Sequence, residues 1–199
     1  EHLIEGSIDD RRLGLVRERA GAGKTNLICH LAEKYSPTHA VFLMRPGVTL
    51  AASQGLPHYL AELYCRQGGL FAPSTDEEFI CNAAYLAHSH GRKVLLLIDA
   101  INESRSPGLL KDEILSAMAR WRNDDVVFVV TCRDIYWGVF QDDRWKEHLK
   151  VHIRNRMYEY EHNEFEGDTG ALIRYFRHYD IQGELVDRAR AKCRQPLLL

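Results

Sequence analysis

The stretch Glu18-Arg19-Ala20-Gly21-Ala22-Gly23-Lys24-Thr25 lies between a short apolar run at 13–16 and a segment with helical periodicity at 26–34. This order predicts a strand, then a loop, then a helix. Gly21 and Gly23 allow the backbone to bend, so that successive N–H groups converge at the helix N-terminus, where an anion is favoured. The stretch therefore predicts a phosphate-binding loop, and the alternative is an ordinary helix start that contains two glycines.

The residues after the second glycine carry the chemistry that such a loop needs. Lys24 supplies a mobile cation for the β- and γ-phosphates of a nucleotide, and the hydroxyl of Thr25 can bind Mg²⁺. The alternative for Lys24 is a solvated surface side chain. We expect the nucleotide-binding residues of this loop to be Gly21, Ala22, Gly23, Lys24, Thr25 and Asn26.

Glu18 stands where the usual pattern of such a loop has glycine. Because a carboxylate beside bound phosphates would repel them, we expect this side chain to point away from the phosphates. Arg17 and Arg19 flank Glu18 and can neutralise its charge. Nucleotide binding is therefore expected to persist, whereas the affinity and the hydrolysis rate stay open.

The composition indicates a globular chain without a general affinity for nucleic acid. Of 199 residues, 45% are apolar and 27% are charged, as in ordinary globular domains. The lysines and arginines number 26 and the aspartates and glutamates 28, which gives a net charge of -2 and does not predict a nucleic-acid-binding surface. No apolar stretch reaches the roughly 18 to 20 residues that span a membrane. We therefore expect neither a membrane nor a nucleic-acid partner.

The cysteines and the chain ends indicate the cellular context. Five scattered cysteines without a CxxC pair predict neither a zinc site nor a disulfide framework, and they fit the reducing cytoplasm. The chain begins at Glu1 with neither an initiator methionine nor a signal-peptide pattern, and it stops on the apolar run at 196–199. Both ends predict that the chain is part of a longer protein.

Helical and extended patterns alternate along the chain, as a parallel sheet with crossover helices requires. The segments after the loop helix are an extended run at 40–44, helices at 55–67 and 76–89, an apolar strand at 93–99, a helix at 108–122, an apolar strand at 126–132 and a shorter strand at 149–153. The predicted fold is α/β, a P-loop NTPase three-layer sandwich with a parallel sheet, followed by a small helical domain. The predicted domains are a nucleotide-binding domain at 1–155 and a partial helical domain at 160–199.

Asp99 ends an apolar strand at the carboxyl edge, where open α/β sheets bind their ligands. In P-loop proteins an aspartate at such a strand end holds Mg²⁺, so we expect Thr25 and Asp99 to bind the metal ion. Glu103, four residues further on, is the candidate that polarises the water attacking the γ-phosphate. The alternative is that Asp99 caps the following segment and that Glu103 is solvated.

Arg133 directly follows the next apolar strand, in Thr131-Cys132-Arg133-Asp134. A strand end beside the acidic strand would aim the guanidinium at the γ-phosphate, where it would neutralise charge and report whether that phosphate is present. The alternative is an ion pair with Asp134 or with a neighbouring carboxylate. The predicted catalytic residues are therefore Asp99, Glu103 and Arg133.

In this order the motifs resemble the STAND class of P-loop ATPases, especially the bacterial members of its NACHT-like branch. The matching stretches are Gly21–Thr25, Leu96–Glu103, Val130–Asp134 and Cys193–Leu199. The resemblance covers nearly the whole chain, and its combination of four motifs is more specific than the first motif alone. In that class the proline of the last motif packs against the adenine ring, so the resemblance implies that Pro196 closes the nucleotide pocket.

The resemblance implies a signalling switch. In STAND proteins ADP holds a closed monomer, and a sensed ligand permits exchange for ATP and then self-association. An effector domain usually precedes the ATPase and sensor repeats follow it, and many bacterial members act in antiphage defence. For this chain the resemblance implies ATP or ADP with Mg²⁺ as cofactors, slow ATP hydrolysis, and self-association of the activated full-length protein.

Other classes of function stay open. A small-molecule or nucleotide kinase also begins with a phosphate loop, but it places the acidic strand directly beside the loop strand, whereas we expect the strand that carries Arg133 to lie between them. A nucleotide-binding scaffold without turnover fits Glu18, although Glu103 argues against it. The near-neutral charge does not favour a DNA-handling AAA+ motor, and no Asn-Lys-x-Asp motif indicates guanine.

Overall fold

A computed structural model describes residues 13–21, 23–49, 55–66, 76–121, 126–140, 142–148 and 157–161 of the chain. The strands are β1 (Leu13–Glu18), β2 (His39–Met44), β3 (Lys93–Ile98), β4 (Val126–Arg133) and β5 (Met157–Glu161). The helices are α1 (Lys24–Tyr35), α2 (Pro46–Thr49), α3 (Leu56–Arg66), α4 (Asp76–Ser89), α5 (Pro107–Arg120) and α6 (Asp143–His148). Two 3₁₀ helices lie at Ile101–Glu103 and Asp134–Phe140.

The five strands form one parallel sheet in the order β2-β3-β4-β1-β5. The strand that carries Arg133 pairs with β1 on one side and with β3 on the other, which confirms the predicted insertion of this strand between the loop strand and the acidic strand. Because the strands are parallel, their carboxyl ends share one edge of the sheet. The phosphate loop, Asp99 and Arg133 therefore meet at that edge.

The central strands β3 and β4 are mostly apolar because both faces of the sheet are covered. In β3, Leu96 belongs to a core cluster that includes residues of α3, α4 and α5, whereas Leu95 belongs to a second cluster on the other face. Helix α1 packs into that second cluster through Ile28 and Leu31. This arrangement of helices, sheet and helix is the three-layer α/β sandwich that the alternating pattern predicts.

The fifth strand was not predicted from the sequence. The expected strand at 149–153 falls outside the described residues, and β5 covers Met157–Glu161, where tyrosine and glutamate alternate from Tyr158 onward. Such alternation is typical of a strand with one solvated face, and β5 is the outermost of the described strands on the side of β1. The sheet thus extends past residue 155, and the expected helical domain lies outside the described residues from 162 onward. None of the described helices is both long and apolar enough to cross a membrane.

Candidate functional site

The phosphate loop connects the end of β1 to the beginning of α1. Gly21 and Gly23 have φ angles of 84° and 82°, in the left-handed region that glycine adopts without steric cost. The amide of Leu27 donates to the carbonyl oxygen of Gly23 at 2.9 Å, so the helical hydrogen bonds begin at this glycine. The earlier N–H groups of the first turn have no acceptor within the helix and are available to a phosphate group.

Lys24 reaches back across the loop to its first two residues. Its ammonium group donates to the carbonyl oxygen of Glu18 at 2.8 Å and to that of Arg19 at 2.6 Å. Burial is the main reason why the pKa of Lys24 lies below its ordinary value of 10.5, and the carboxylate of Glu18 opposes this shift. A phosphate beside the ammonium would favour its charged form, so this environment suits an anionic ligand.

The carboxylate of Glu18 bonds to the backbone of the next residue, and the expectation that it points away from bound phosphates stays a prediction. Its Oε1 accepts the backbone N–H of Arg19 at 2.9 Å. That N–H group belongs to the residue directly after Glu18, and Glu18 occupies the position of the usual glycine. A negative charge is therefore retained next to the phosphate-binding region.

Asp99 directly follows β3 and is almost completely buried, with 2% of its surface exposed. Its Oδ2 accepts a hydrogen bond from Oγ1 of Thr25, and its Oδ1 accepts one from Oγ1 of Thr131, both at 2.8 Å. Its backbone N–H donates to the carbonyl oxygen of Met44 at 2.8 Å. These bonds hold the carboxylate between the first turn of α1 and the ends of β2 and β4.

Two residues beside Asp99 were not predicted from the sequence. Thr131 is fully buried in β4 and orients the carboxylate through its hydroxyl. Arg45 directly follows β2, and its Nε lies 3.8 Å from Oδ2 of Asp99. Two sequence signals could have indicated these residues. Thr131 is a hydroxyl residue within an apolar strand, and Arg45 follows a strand that ends at the same edge of the sheet.

Ala100 turns the chain sharply after Asp99. Its φ and ψ angles are 54° and 57°, in the left-handed region that costs a residue with a Cβ about 1 to 2 kcal/mol. Its N–H donates to Oγ1 of Thr131 at 2.7 Å, which helps to hold this conformation. The turn leads into the 3₁₀ helix that ends at Glu103 and returns that residue toward the end of β4.

Arg133 and Glu103 form an ion pair, with Nη2 of the arginine 2.8 Å from Oε1 of the glutamate. The backbone N–H of Arg133 also donates to Oδ1 of Asn102 at 2.9 Å, so the turn after β3 is attached to β4 at two neighbouring points. Of the two sequence interpretations of Arg133, the structure shows the ion pair with a neighbouring carboxylate. That carboxylate belongs to Glu103, which is itself a predicted catalytic residue.

Gly47, in the short helix α2, approaches Glu103 very closely. A Cβ atom at this position would lie 2.9 Å from both the Cβ and the carbonyl oxygen of Glu103. That separation is well inside the optimal distance for non-bonded atoms. Gly47 therefore allows α2 to pack against the backbone that carries the predicted catalytic base.

The predicted site residues are brought together except where the structure does not describe them. Lys24, Thr25, Asp99, Glu103 and Arg133 lie at the same edge of the sheet, with Gly21, Gly23 and the exposed Asn26 in or next to the loop. Ala22 and Pro196 lie outside the described residues. Their predicted nucleotide contacts, and the chemical roles of all these residues, stay predictions.

Comparison with known proteins supports the fold through structure alone. No protein-family model matches this chain, and no curated protein sequence matches it. Among solved structures, the Aeropyrum pernix ORC2 protein in its ADPNP–ADP complexes superposes with a TM-score of 0.56 at 12% identity, over 89% of this chain and 48% of that one. Cdc6p from Pyrobaculum aerophilum gives 0.54 at 14% identity, over 86% and 44%.

The replication initiator DnaA, bound to AMPPCP and single-stranded DNA, gives a TM-score of 0.55 at 12% identity, over 97% of this chain and 54% of that one. The chain thus spans about half the length of these three structures. The likeness shows that the chain has the α/β fold with a parallel sheet that these structures share.

Proposed function

We propose that this chain binds ATP or ADP with Mg²⁺, hydrolyses ATP slowly, and works as a nucleotide-dependent switch within a longer protein. The contact between Thr25 and Asp99 carries the proposal. The hydroxyl belongs to Thr25, the residue after Lys24, and the carboxylate belongs to Asp99, at the end of the acidic strand. The two groups lie 2.8 Å apart. A metal ion that binds nucleotide phosphates at the loop would meet both oxygens together.

The oxygen donors fit Mg²⁺. Thr25 and Asp99 offer the hard ligands that this ion prefers, and it usually takes only one or two protein groups beside phosphates and water. Among the described residues, no group of three or more His, Cys, Asp or Glu could hold a metal on its own. When bound, the ion would neutralise charge on the phosphates.

Glu103 and Arg133 are the proposed hydrolytic residues. Glu103 would accept a proton from the attacking water, and Arg133 would stabilise the charge that develops on the γ-phosphate. In the structure they are paired with each other, and their side chains are 40% and 39% exposed. Arg133 would have to exchange Glu103 for the phosphate before hydrolysis, which supports a slow turnover.

The strand order weighs against the kinase alternative. A small-molecule or nucleotide kinase is expected to have its acidic strand next to the loop strand, whereas β4 separates β1 from β3 here. A scaffold without turnover would need no base beside the phosphate loop. The position of Glu103 at the sheet edge therefore supports hydrolysis over a structural nucleotide.

The wider role is proposed from the motif resemblance. As a member of the NACHT-like branch of the STAND class, the chain would be the central ATPase module of a longer cytoplasmic protein in bacteria, which self-associates when activated and takes part in signalling such as antiphage defence. The likeness to replication initiators, at 12 to 14% identity, supports the P-loop fold and gives no argument about a binding partner. The DNA bound by DnaA is therefore not part of the proposal.

Isothermal titration of ATP and ADP into wild type and Lys24→Ala tests the binding site. We expect wild type to bind both nucleotides and Lys24→Ala to bind them about 10- to 100-fold more weakly, because a charge-assisted hydrogen bond is lost. Lys34→Ala removes the same charge from an exposed position in the last turn of α1 and should bind as wild type does. Equal heats from wild type and Lys24→Ala, with both proteins folded by circular dichroism, would refute the assigned pocket.

Phosphate release separates a switch from a scaffold. The assay uses the full-length protein with and without its activating ligand. Slow release of phosphate from ATP supports the switch. Nucleotide binding without any phosphate release, with or without the activating ligand, supports the scaffold.

A further inference from the structure

Glu18 places a carboxylate at the start of the phosphate loop. Its Oε1 accepts the N–H of Arg19 at 2.9 Å, so one main-chain donor of the loop already has an anionic partner within the protein. Of the charged neighbours of Lys24, Glu18 has the strongest influence on that ammonium. The cation assigned to the phosphates is therefore already close to a negative charge.

Glu18 also lies next to the residue assigned to the outer phosphate. Its Cα is the register partner of the Cα of Arg133 on β4, and neighbouring strands run about 4.8 Å apart. The ammonium group of Lys24 bonds to the carbonyl oxygen of Glu18 itself. The backbone of Glu18 thus contacts one of the two cations that the proposed function assigns to the β- and γ-phosphates, and it is the register partner of the residue that carries the other.

We propose that Glu18 is a charge selector that lowers the affinity of this site for ATP relative to ADP. The inference rests on the proposed function and assigns a specificity to it. ATP carries one more phosphate than ADP, and the additional negative charge lies at the outer end, so repulsion from a fixed carboxylate is larger for ATP. The glycine of the usual loop would impose no such repulsion.

The bound metal ion modifies this selection. Mg²⁺ neutralises part of the charge on the phosphates. The discrimination between ATP and ADP is therefore larger in the absence of the ion. A selector of this kind favours ADP as the occupant of the site and makes loading with ATP depend on the metal ion.

Glu18→Gln tests the role of the charge, because the amide oxygen of glutamine can still accept the N–H of Arg19. Affinities for ATP and ADP are measured by isothermal titration at neutral pH, with Mg²⁺ and with EDTA. We expect the ATP affinity to rise about threefold to tenfold more than the ADP affinity, and more in EDTA than with Mg²⁺. Glu33→Gln, which makes the same charge change at an exposed position on α1, controls for net charge.

The outcomes separate the selector from the proposed function. If Glu18→Gln shifts both affinities alike, or no more than Glu33→Gln does, the selector is refuted and nucleotide binding stands. Weaker binding of both nucleotides also refutes it, because the carboxylate would then serve to hold the loop. Binding of both nucleotides by Glu18→Gln but of neither by wild type also refutes it, because the carboxylate would then exclude ADP as well as ATP.

A second variant protects the test against misfolding. If thermal melting shows that Glu18→Gln is unfolded, Glu18→Gly restores the usual residue of the loop and removes the charge in a different way. A preference for ATP that appears in the glycine variant supports the selector, and an unchanged ratio refutes it. If wild type and both variants fail to bind any nucleotide, the proposed function fails and the selector fails with it.

Discussion

Glu103 and Arg133 are ion-paired at the edge of the sheet, with 2.8 Å between Oε1 and Nη2. The side chain that would activate water is thus held by the side chain that would contact the γ-phosphate. Because both are partly exposed, water competes with the pair, and such a contact is worth about 0 to 1 kcal/mol. The pair is weak enough for a phosphate group to replace one of its partners.

Glu103→Gln is expected to slow hydrolysis strongly without disturbing the fold. The loss of a general base lowers the rate by about 100- to 10,000-fold, whereas the free energy of unfolding changes by about 1 kcal/mol or less. Phosphate release and urea denaturation measure the two quantities. Glu147→Gln, at an exposed position in α6, is the matched control, and unchanged phosphate release in Glu103→Gln would rule out the assigned base.

Arg133→Ala is expected to weaken the binding of ATP more than that of ADP. A guanidinium bonded to the γ-phosphate contributes about 1.5 to 3 kcal/mol, and ADP has no group at that place. Titration of the variant with both nucleotides gives the ratio. Arg92→Ala, at an exposed arginine near the beginning of β3, should leave the ratio unchanged, and an equal loss for ATP and ADP in Arg133→Ala would contradict the assignment.

Thr131→Val is expected to destabilise the protein and to loosen Asp99. The variant keeps the shape of the side chain but removes the hydroxyl that donates to Asp99 and accepts from the N–H of Ala100. Unsatisfied buried polar groups cost about 1 to 3 kcal/mol each. Urea denaturation measures this loss, and Thr131→Ser, which retains the hydroxyl, should recover most of it. Equal stabilities of wild type and Thr131→Val would show that the two bonds contribute little.

Gly47→Ala is expected to displace Glu103. The added methyl group would meet the Cβ and the carbonyl oxygen of Glu103 at 2.9 Å, and such overpacking costs about 1 to 3 kcal/mol. Thermal melting and phosphate release should both decrease. Gly108→Ala is the control, because a Cβ at Gly108 would have no neighbour within 4 Å. A Gly47→Ala protein as stable and active as the Gly108→Ala protein would disprove the close contact.

Nucleotide affinity is expected to fall at alkaline pH because of Lys24. Burial lowers the pKa of Lys24 below 10.5, and a bound phosphate favours the ammonium form, so the complex holds more protons than the free protein. Affinity therefore decreases as the pH rises through the lowered pKa. Titrations of ATP at increasing pH measure the fall, and Lys24→Arg, which stays protonated, should not show it if it binds.

The lowered pKa of Lys24 has the opposite effect on the stability of the fold. In the unfolded chain Lys24 recovers its ordinary pKa of 10.5, so the unfolded state binds more protons in the window between the lowered pKa and that value. The contribution of Lys24 to stability therefore rises with pH across this window. In the ATP titrations described above, a wild-type affinity for ATP that stays constant up to about pH 10 would contradict the lowered pKa of Lys24.

Much of the nucleotide-binding fold was predictable because it depends on local patterns. The apolar runs of β3 and β4 indicate strands covered on both faces, and Gly21 and Gly23 mark the turn between β1 and α1. The strand that carries Arg133 was also placed correctly in the sheet. Strand β5 was not predicted, because five residues in which tyrosine and glutamate alternate have a weaker pattern than a buried apolar strand.

Residue order along the chain was enough to locate the loop, the acidic strand end and the arginine strand end, since parallel strands bring their carboxyl ends to one edge. The contacts between these parts depended on packing. Thr131, Arg45 and Gly47 act on Asp99 and Glu103 across different strands or turns, and no local periodicity records such pairs. The ion pair of Glu103 with Arg133 likewise follows from a distance between side chains, which the folded backbone sets.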